Sequence, residues 1–510
     1  MFVGAVLIVI LSPKCAKSES LKQKWHENTI SYQIYTPTFY DSDSDGVGDL
    51  QGVAKKLIQL RRIGVTSIRV SPILATLKDE FKPANVIDAL AIDERFGTEA
   101  DLIKLIEAVH AVDMHIILDL PLTKHLSQKL AGNSKPLESS KENVALLDVA
   151  DLRVQDYLVE VASHLLRLGV DAIQLADYGQ AKKMSSVKSL DPIISKIREF
   201  VKNDESIKQK EVVIIVEWAW RNAASFADIY LRPILGTDSD NSAAAISGKP
   251  PLLTRLANTI DEVARVFPKK QIQPRPMWTF ADLATPRLDQ QIDLNPILEN
   301  HTKETMALLS LIQLILPGPI SIYYGEEYGL ESIKPTSTQY PQRGIMRWNA
   351  KTEPNVGFSD QSGQTFFGDL PRNEAYESVA FEQQYTDKNS QLRTFKSVAE
   401  LRARSVVLQS GLLSVLQDGV YVYIRHMDGN DTNSEVFALA VNWPVNNNTI
   451  ARVIRAETLR PMIGTRALTR VEVKAAAPRA AVTQFVGRTF NLEQEFMQLK
   501  PYEAVLFRII

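Results

Sequence analysis

From about residue 26 to residue 404 the chain alternates between two hydrophobic rhythms. Short apolar runs bounded by Gly, Pro, Asp or Asn read as strands. They are "ISYQIYTP" from Ile30, "TSIRVSPI" from Thr66, "MHIILDL" from Met114, "DAIQLAD" from Asp171, "EVVIIVE" from Glu211, "ADIYLRP" from Ala227, "MWTFADL" from Met277 and "GPISIYYG" from Gly318. Between them lie longer segments such as "GVAKKLIQLRRIG", "TEADLIKLIEAVHAV" and "VQDYLVEVASHLLRLG", whose apolar residues recur three and four apart, as on one face of a helix. Repeated strand-then-helix units of this length predict an α/β fold, a (β/α)8 TIM barrel over residues 26–404. After 405 the rhythm changes: "GVYVYIRHMD", "SEVFALAVNW" and "AVLFRII" predict a C-terminal antiparallel β-sandwich over 405–510.

The start of the chain follows neither rhythm. Residues 2–11 are apolar apart from Gly4, too short a run for the roughly 20 residues that cross a bilayer. No basic residue precedes the run and no clean cleavage site follows it, which argues against a signal peptide. The expectation is that 1–12 form part of an N-terminal transmembrane anchor and 13–25 a polar extracellular neck.

Composition narrows the function. With 510 residues, 45% hydrophobic, 23% charged and a net charge of −2, the chain is an ordinary globular protein without a basic footprint for nucleic acid. Seven scattered histidines and one cysteine build no zinc site. Sequons at Asn300, Asn430 and Asn447 suggest an extracellular, glycosylated body. In that setting the unpaired Cys15 is a candidate for an intermolecular disulfide. In "DSDSDGVGDLQG", Asp41, Asp43, Asp45 and Asp49 crowd like charges in a way that favours a bound cation. Gly52 at the twelfth position, where an EF-hand has glutamate, excludes that motif.

Several of these stretches, in this order, resemble the α-amylase (glycoside hydrolase 13) superfamily: "YQIYTPTFYDSDSDGVGDLQG", "IDERFGT", "YYGEEYGL" and "MRWN". Within it, "VGAVLIVILSPKC", "VYVYIRHMD" and "FALAVNW" resemble the heavy chains of heteromeric amino acid transporters. The short segment from Asp119 to the helix near residue 153 is similar to that branch as well. The resemblance implies a single-pass type II plasma-membrane glycoprotein with a large extracellular body. It would partner a multi-pass transporter light chain through a Cys15 disulfide and its membrane helix, supporting amino acid transport without being an enzyme. It requires no cofactor, but implies a structural calcium held by Asp41, Asp43, Asp45, Asp49 and the Val47 carbonyl, as in family glucosidases.

Position by position, the family's catalytic pattern departs here. A retaining glycosidase needs two carboxylates about 5 Å apart. The family's strand-four arginine and nucleophilic aspartate fall on Gln174 and Ala176 in "GVDAIQLA". Its Asn-His-Asp falls on Asp282, Leu283 and Ala284, and "DLPLTKH" keeps Asp119 but has Thr123 and Lys124 where asparagine and histidine belong. The tyrosine and aspartate after strand two become Ala84 and Asn85. Glu217 stands where the acid/base would be. Asp177 follows Ala176, but alternation along a strand turns it to the opposite face. These departures lead to the expectation of an inactive scaffold. The alternatives are an α-glucosidase-like enzyme with an altered site and a sugar-binding or adhesion module.

Overall fold

The structure, a computed structural model, describes residues 24–76, 86–122, 147–176, 178, 189–235, 252–266, 274–293, 298–333, 340–351, 355–361, 379–427, 435–443, 450–463, 468 and 470–510. Eight parallel strands close into a barrel. In chain order, β1 is Ile30–Tyr35 and β2 is Ser67–Ser71, followed by a hairpin of β3 (Leu74–Thr76) and β4 (Val86–Ile92) outside the barrel. Then come β5 (His115–Pro121), β6 (Ala172–Ala176), β7 (Val213–Val216), β8 (Ile229–Pro233), β9 (Arg275–Thr279) and β10 (Ile320–Tyr323). Closure is made by β1, whose Ser31 pairs with Ser67 of β2 and with Ser321 of β10. The expected eight strands are all present, and the β3–β4 hairpin is an addition that no periodicity announced.

The helices form where the chain supplies both an apolar stripe and an end signal. Helix Leu50–Arg62 starts at Asp49, whose side chain accepts from Gly52 N. Helix Glu99–Ala111 starts with a Thr98–Asp101 capping box. Helix Leu152–Leu168 stops at Gly169, where φ of +116° suits a residue without Cβ. Alternation then sorts each strand's side chains. On β6, Ile173 and Leu175 join the large core cluster outside the barrel. Ala172 instead packs in the lumen with Ile117, Val213, Ile215, Ile229, Leu231 and Met277, against Trp25.

Beyond β10 the interior is polar. Glu326 and Glu327 are almost fully buried beside Arg287. Burial pushes their carboxyl groups up to about 8 and about 7 despite the nearby guanidinium. Tyr32 Oη donates to Glu327 at 2.9 Å.

The C-terminal part is antiparallel. Strands β11 (Leu412–Asp418), β12 (Val420–His426), β13 (Val436–Val441), β14 (Arg452–Ile454), β15 (Val471–Ala476), β16 (Thr489–Phe490), β17 (Met497–Leu499) and β18 (Ala504–Ile509) form two sheets. One is six-stranded, in the order β11-β12-β13-β18-β15-β16, and the other is the β14-β17 ladder. Two buried arginines tie this part to the barrel. Arg402 donates to the carbonyls of Leu314, Leu316 and Leu408 and also bonds Gly318 O. Arg425 reaches Val407, Leu408, Gly411, Leu412 and Ile315.

One part of the expected fold is corrected. Among the described residues no helix is long and apolar enough to cross a membrane. The proposed anchor over 1–12, most of the neck and Cys15 lie outside the described residues. The transmembrane element of the expected architecture therefore has no counterpart among the described residues.

Candidate active site at the C-terminal rim of the barrel

In a barrel of this kind chemistry sits where the strands end. Parallel register places Asp119 of β5 opposite Gln174 of β6, and Gln174 opposite Ile215 of β7. Glu217 follows β7 directly, so its side chain reaches the same rim. There Gln174 Nε2 donates to Glu217 Oε1 at 2.8 Å. That bond fixes the register question: Gln174 faces the lumen, and Ala176, two residues on, shares its face and is fully buried without a carboxylate. Asp177 lies outside the described residues, as do Ala84, Asn85, Thr123 and Lys124.

The most constrained pair on the rim is Arg69 with Asp119. Arg69 Nε donates to Asp119 Oδ1 at 2.7 Å and Nη2 to Oδ2 at 3.0 Å. Their side chains are 5% and 4% exposed, so both charges are nearly out of water. Burial alone would lower the guanidinium, but the Asp119 charge and hydrogen bonds, with a further pull from Glu217, hold it above its ordinary value. Tyr178 completes the arrangement. Its hydroxyl donates to Asp119 Oδ2 at 3.1 Å and lies 3.2 Å from Ser71 Oγ. Burial and the Asp119 charge push the phenol well above its usual value. A small, open depression beside this network, with room for about one water molecule, is lined by Ser71, Ile73, Leu74, Thr76, Asp119 and Tyr178, among others.

Reading motifs one position at a time missed Arg69, Ser71 and Tyr178. A signal for the first was present: an arginine in the middle of the strand run "SIRVS" must be buried, and buried charges need partners. Tyr178 gave no such signal. It reaches the rim because the backbone turns back at φ +50°, a left-handed conformation uncommon for tyrosine. The remaining positions lie apart from this network. Asp282 Oδ1 accepts from Ala284 N and Thr285 N in a turn, and Leu283 is buried.

The acidic loop is a second polar cluster. Oxygens of Asp41, Asp43 and Asp49 lie within 4.8 Å of one another, with Asp41 and Asp49 buried. Asp45 is outside this close group and accepts from Val47 N at 2.8 Å. Burial raises Asp41 and Asp49, opposed by backbone N–H donors and reinforced by neighbouring carboxylates. A hard divalent cation with oxygen preference offsets both burial and repulsion, so this chemistry fits a metal such as calcium. Of the sequons, Asn300 is exposed, and Asn430 and Asn447 lie outside the described residues.

Comparison with known proteins places this geometry. The family model for the alpha-amylase catalytic domain matches residues 33–164 and 270–411, more than half of the 510-residue chain. The chain belongs to the alpha-amylase family. Maltase A2 of Drosophila melanogaster is 23% identical over 95% of this chain and 95% of its own length. An amino acid transporter heavy chain of Mus musculus is 24% identical over 87% of this chain and 73% of its own. Among solved structures, a Klebsiella isomaltulose synthase superimposes with a TM-score of 0.71 at 16% identity, over 96% of this chain and all of that one.

These findings correct the narrower reading. Similarity does not single out the transporter heavy chains: the maltase matches as well in identity and more completely in length. The expected role as a non-catalytic transport subunit is therefore not supported against that of an alpha-amylase family enzyme. The inactive-scaffold reading is corrected likewise, since the matched model is that of the catalytic domain and the rim keeps acids in Glu217 and Asp119. The partner linkage and plasma-membrane placement rested on Cys15 and a membrane helix. Cys15 lies outside the described residues, and no helix among the described residues qualifies as a span, so neither expectation gains support.

Proposed function

We propose that the protein is a carbohydrate-active enzyme of the alpha-amylase family that cleaves or transfers an α-linked glucosyl unit at the barrel rim. The observation that carries this reading is the placement of Glu217. It sits at the end of the fifth barrel strand, held by Gln174, where a general acid can protonate a departing sugar oxygen. Arg69 and Asp119 form the floor beside it, a fixed polar surface suited to sugar hydroxyls. Ala176 provides no nucleophile, so the chemistry differs from the family's usual pair of carboxylates at that position. In this reading Asp41, Asp43 and Asp49 hold a structural calcium, with the Asp45 carboxylate and the buried Val47 carbonyl near enough in sequence to join it.

The test is glucose release or transfer from a panel of maltose, isomaltose, trehalose and nitrophenyl α-glucoside, followed by chromatography. Release or transfer from any of them supports the reading. Saturable binding without product would replace it with a sugar-binding function.

A further inference from the structure

Gln174 is fully buried in the barrel lumen, opposite Asp119 of β5 on one side and Ile215 of β7 on the other. Its amide is used unevenly. Nε2 donates to Glu217 Oε1 at 2.8 Å, while its own Oε1 has no partner among the described residues. An unpaired buried carbonyl costs stability. An apolar side chain of similar length, such as methionine, would fill the place without that cost. A buried polar group that stays unsatisfied in a folded protein calls for a reason. Here the reason is Glu217, which takes the one bond the amide makes.

That bond has a chemical consequence. With an N–H donor on Oε1, that oxygen is the carbonyl oxygen whenever Glu217 is protonated, and the acid proton sits on Oε2. The bond strengthens when the proton leaves, because hydrogen bonds to a charged oxygen are the stronger kind. Gln174 therefore favours the carboxylate and makes Glu217 the readier proton donor. The nearby cations are engaged elsewhere. Arg69 is locked to Asp119, Arg232 is paired with Glu262, and Arg221 donates to Trp218 O.

We propose that Gln174 is the positioning residue of the acid: its amide holds Glu217 by Oε1, leaves Oε2 to carry the acid proton, and stabilises the carboxylate that forms when the proton departs. This rests on the reading above that Glu217 is a general acid on a glycosidic bond. As the bond from the anomeric carbon to the leaving oxygen breaks, its electron pair stays on that oxygen. The oxygen takes the proton from Oε2 and departs as an alcohol, leaving Glu217 as a carboxylate. Water or a sugar hydroxyl bonds the anomeric carbon and returns a proton to Glu217. Gln174 exchanges no proton itself and acts through Glu217.

The experiment uses the full chain. Wild type, Gln174→Met and Gln174→Glu are assayed against pH on the panel substrate that wild type turns over fastest, with urea unfolding of each as control. Loss of one hydrogen bond to a charged group predicts a fall of about 10-fold or more in kcat for Gln174→Met, with KM within about 2-fold. Without the donor Glu217 keeps its proton to higher pH, so the basic limb of the rate profile moves up. In Gln174→Glu two carboxyl groups share the site, and the limb moves up further, by at least about one pH unit. The urea midpoint of Gln174→Met is expected at or above that of wild type, since Glu217 is only half-buried and water can replace the lost donor. Wild-type kcat and an unmoved limb in Gln174→Met would overturn the proposal. So would a fall in kcat with a lower urea midpoint and an unmoved limb in both variants, which is the mark of a packing role. Either result leaves the enzyme reading standing, because wild type still turns over. Absence of turnover by wild type on every substrate would overturn both. If Gln174→Met does not fold, the limb in Gln174→Glu decides.

Discussion

Replacing Asp119 by alanine tests whether the rim is held by the pair it forms with Arg69. The change removes three hydrogen bonds, two from Arg69 and one from Tyr178. It also leaves a guanidinium whose side chain is 5% exposed without its carboxylate. Breaking a buried pair from one side costs about 3–5 kcal/mol, mostly as the penalty of the stranded charge. Unfolding entropy of about 2.1 cal/mol/K per residue gives about 1 kcal/mol/K for a chain this long, so the melting temperature should fall by about 3–5 °C. Removing both charges, as Arg69→Met with Asp119→Ala, should recover most of that loss, because no charge is left stranded. Urea unfolding followed by tryptophan fluorescence on wild type, both single variants and the double variant completes the cycle. A single-variant cost below about 1 kcal/mol, or a double variant as unstable as the sum of the singles, would refute the argument.

Three further outcomes follow from the same structure. Glu326 is raised from 4.5 to about 8 by burial, so the folded state keeps a proton that the unfolded state loses. Its stabilising contribution is therefore complete below pH 4.5 and is lost as pH rises through about 8, a change of up to about 5 kcal/mol at 1.36 kcal/mol per unit. In Glu326→Gln the fall in urea midpoint over that range should flatten, and an unchanged slope would count against it. Arg402→Met removes the guanidinium donor from the carbonyls of Leu314, Leu316 and Gly318, while Leu408 O keeps Arg425, and should lower stability by about 3 kcal/mol in urea unfolding. Calcium at about 100 times its dissociation constant should add about 2.7 kcal/mol over chelated protein, and Asp43→Asn should abolish that increment in differential scanning calorimetry.

The barrel was legible because its strands carry the pattern that burial on both faces demands. "EVVIIVE" and "MHIILDL" leave little choice, and helices between them dictate a parallel sheet. Gln174 lies on the lumen side, where it meets Glu217. The β3–β4 hairpin was not legible, since three residues at Leu74–Thr76 carry no measurable period. The expected C-terminal antiparallel β-sandwich is a six-stranded sheet beside a short ladder, in which β14 and β17 are three residues each. The site was half legible. Single positions such as Ala176 showed what was missing from a familiar pattern. They did not show what a turn outside any strand brings back, and Tyr178 arrives on such a turn. The apolar run at residues 2–11 invited a membrane reading that no helix among the described residues supports.

The central claim is that Glu217 works on a glycosidic bond. Its most direct test is the turnover of nitrophenyl α-glucoside and maltose by wild type and by Glu217→Gln, with urea unfolding of both as the control. The account predicts measurable turnover in wild type and a loss of about 10²-fold or more in the variant at unchanged stability. No turnover by wild type, or equal turnover by both, would contradict it.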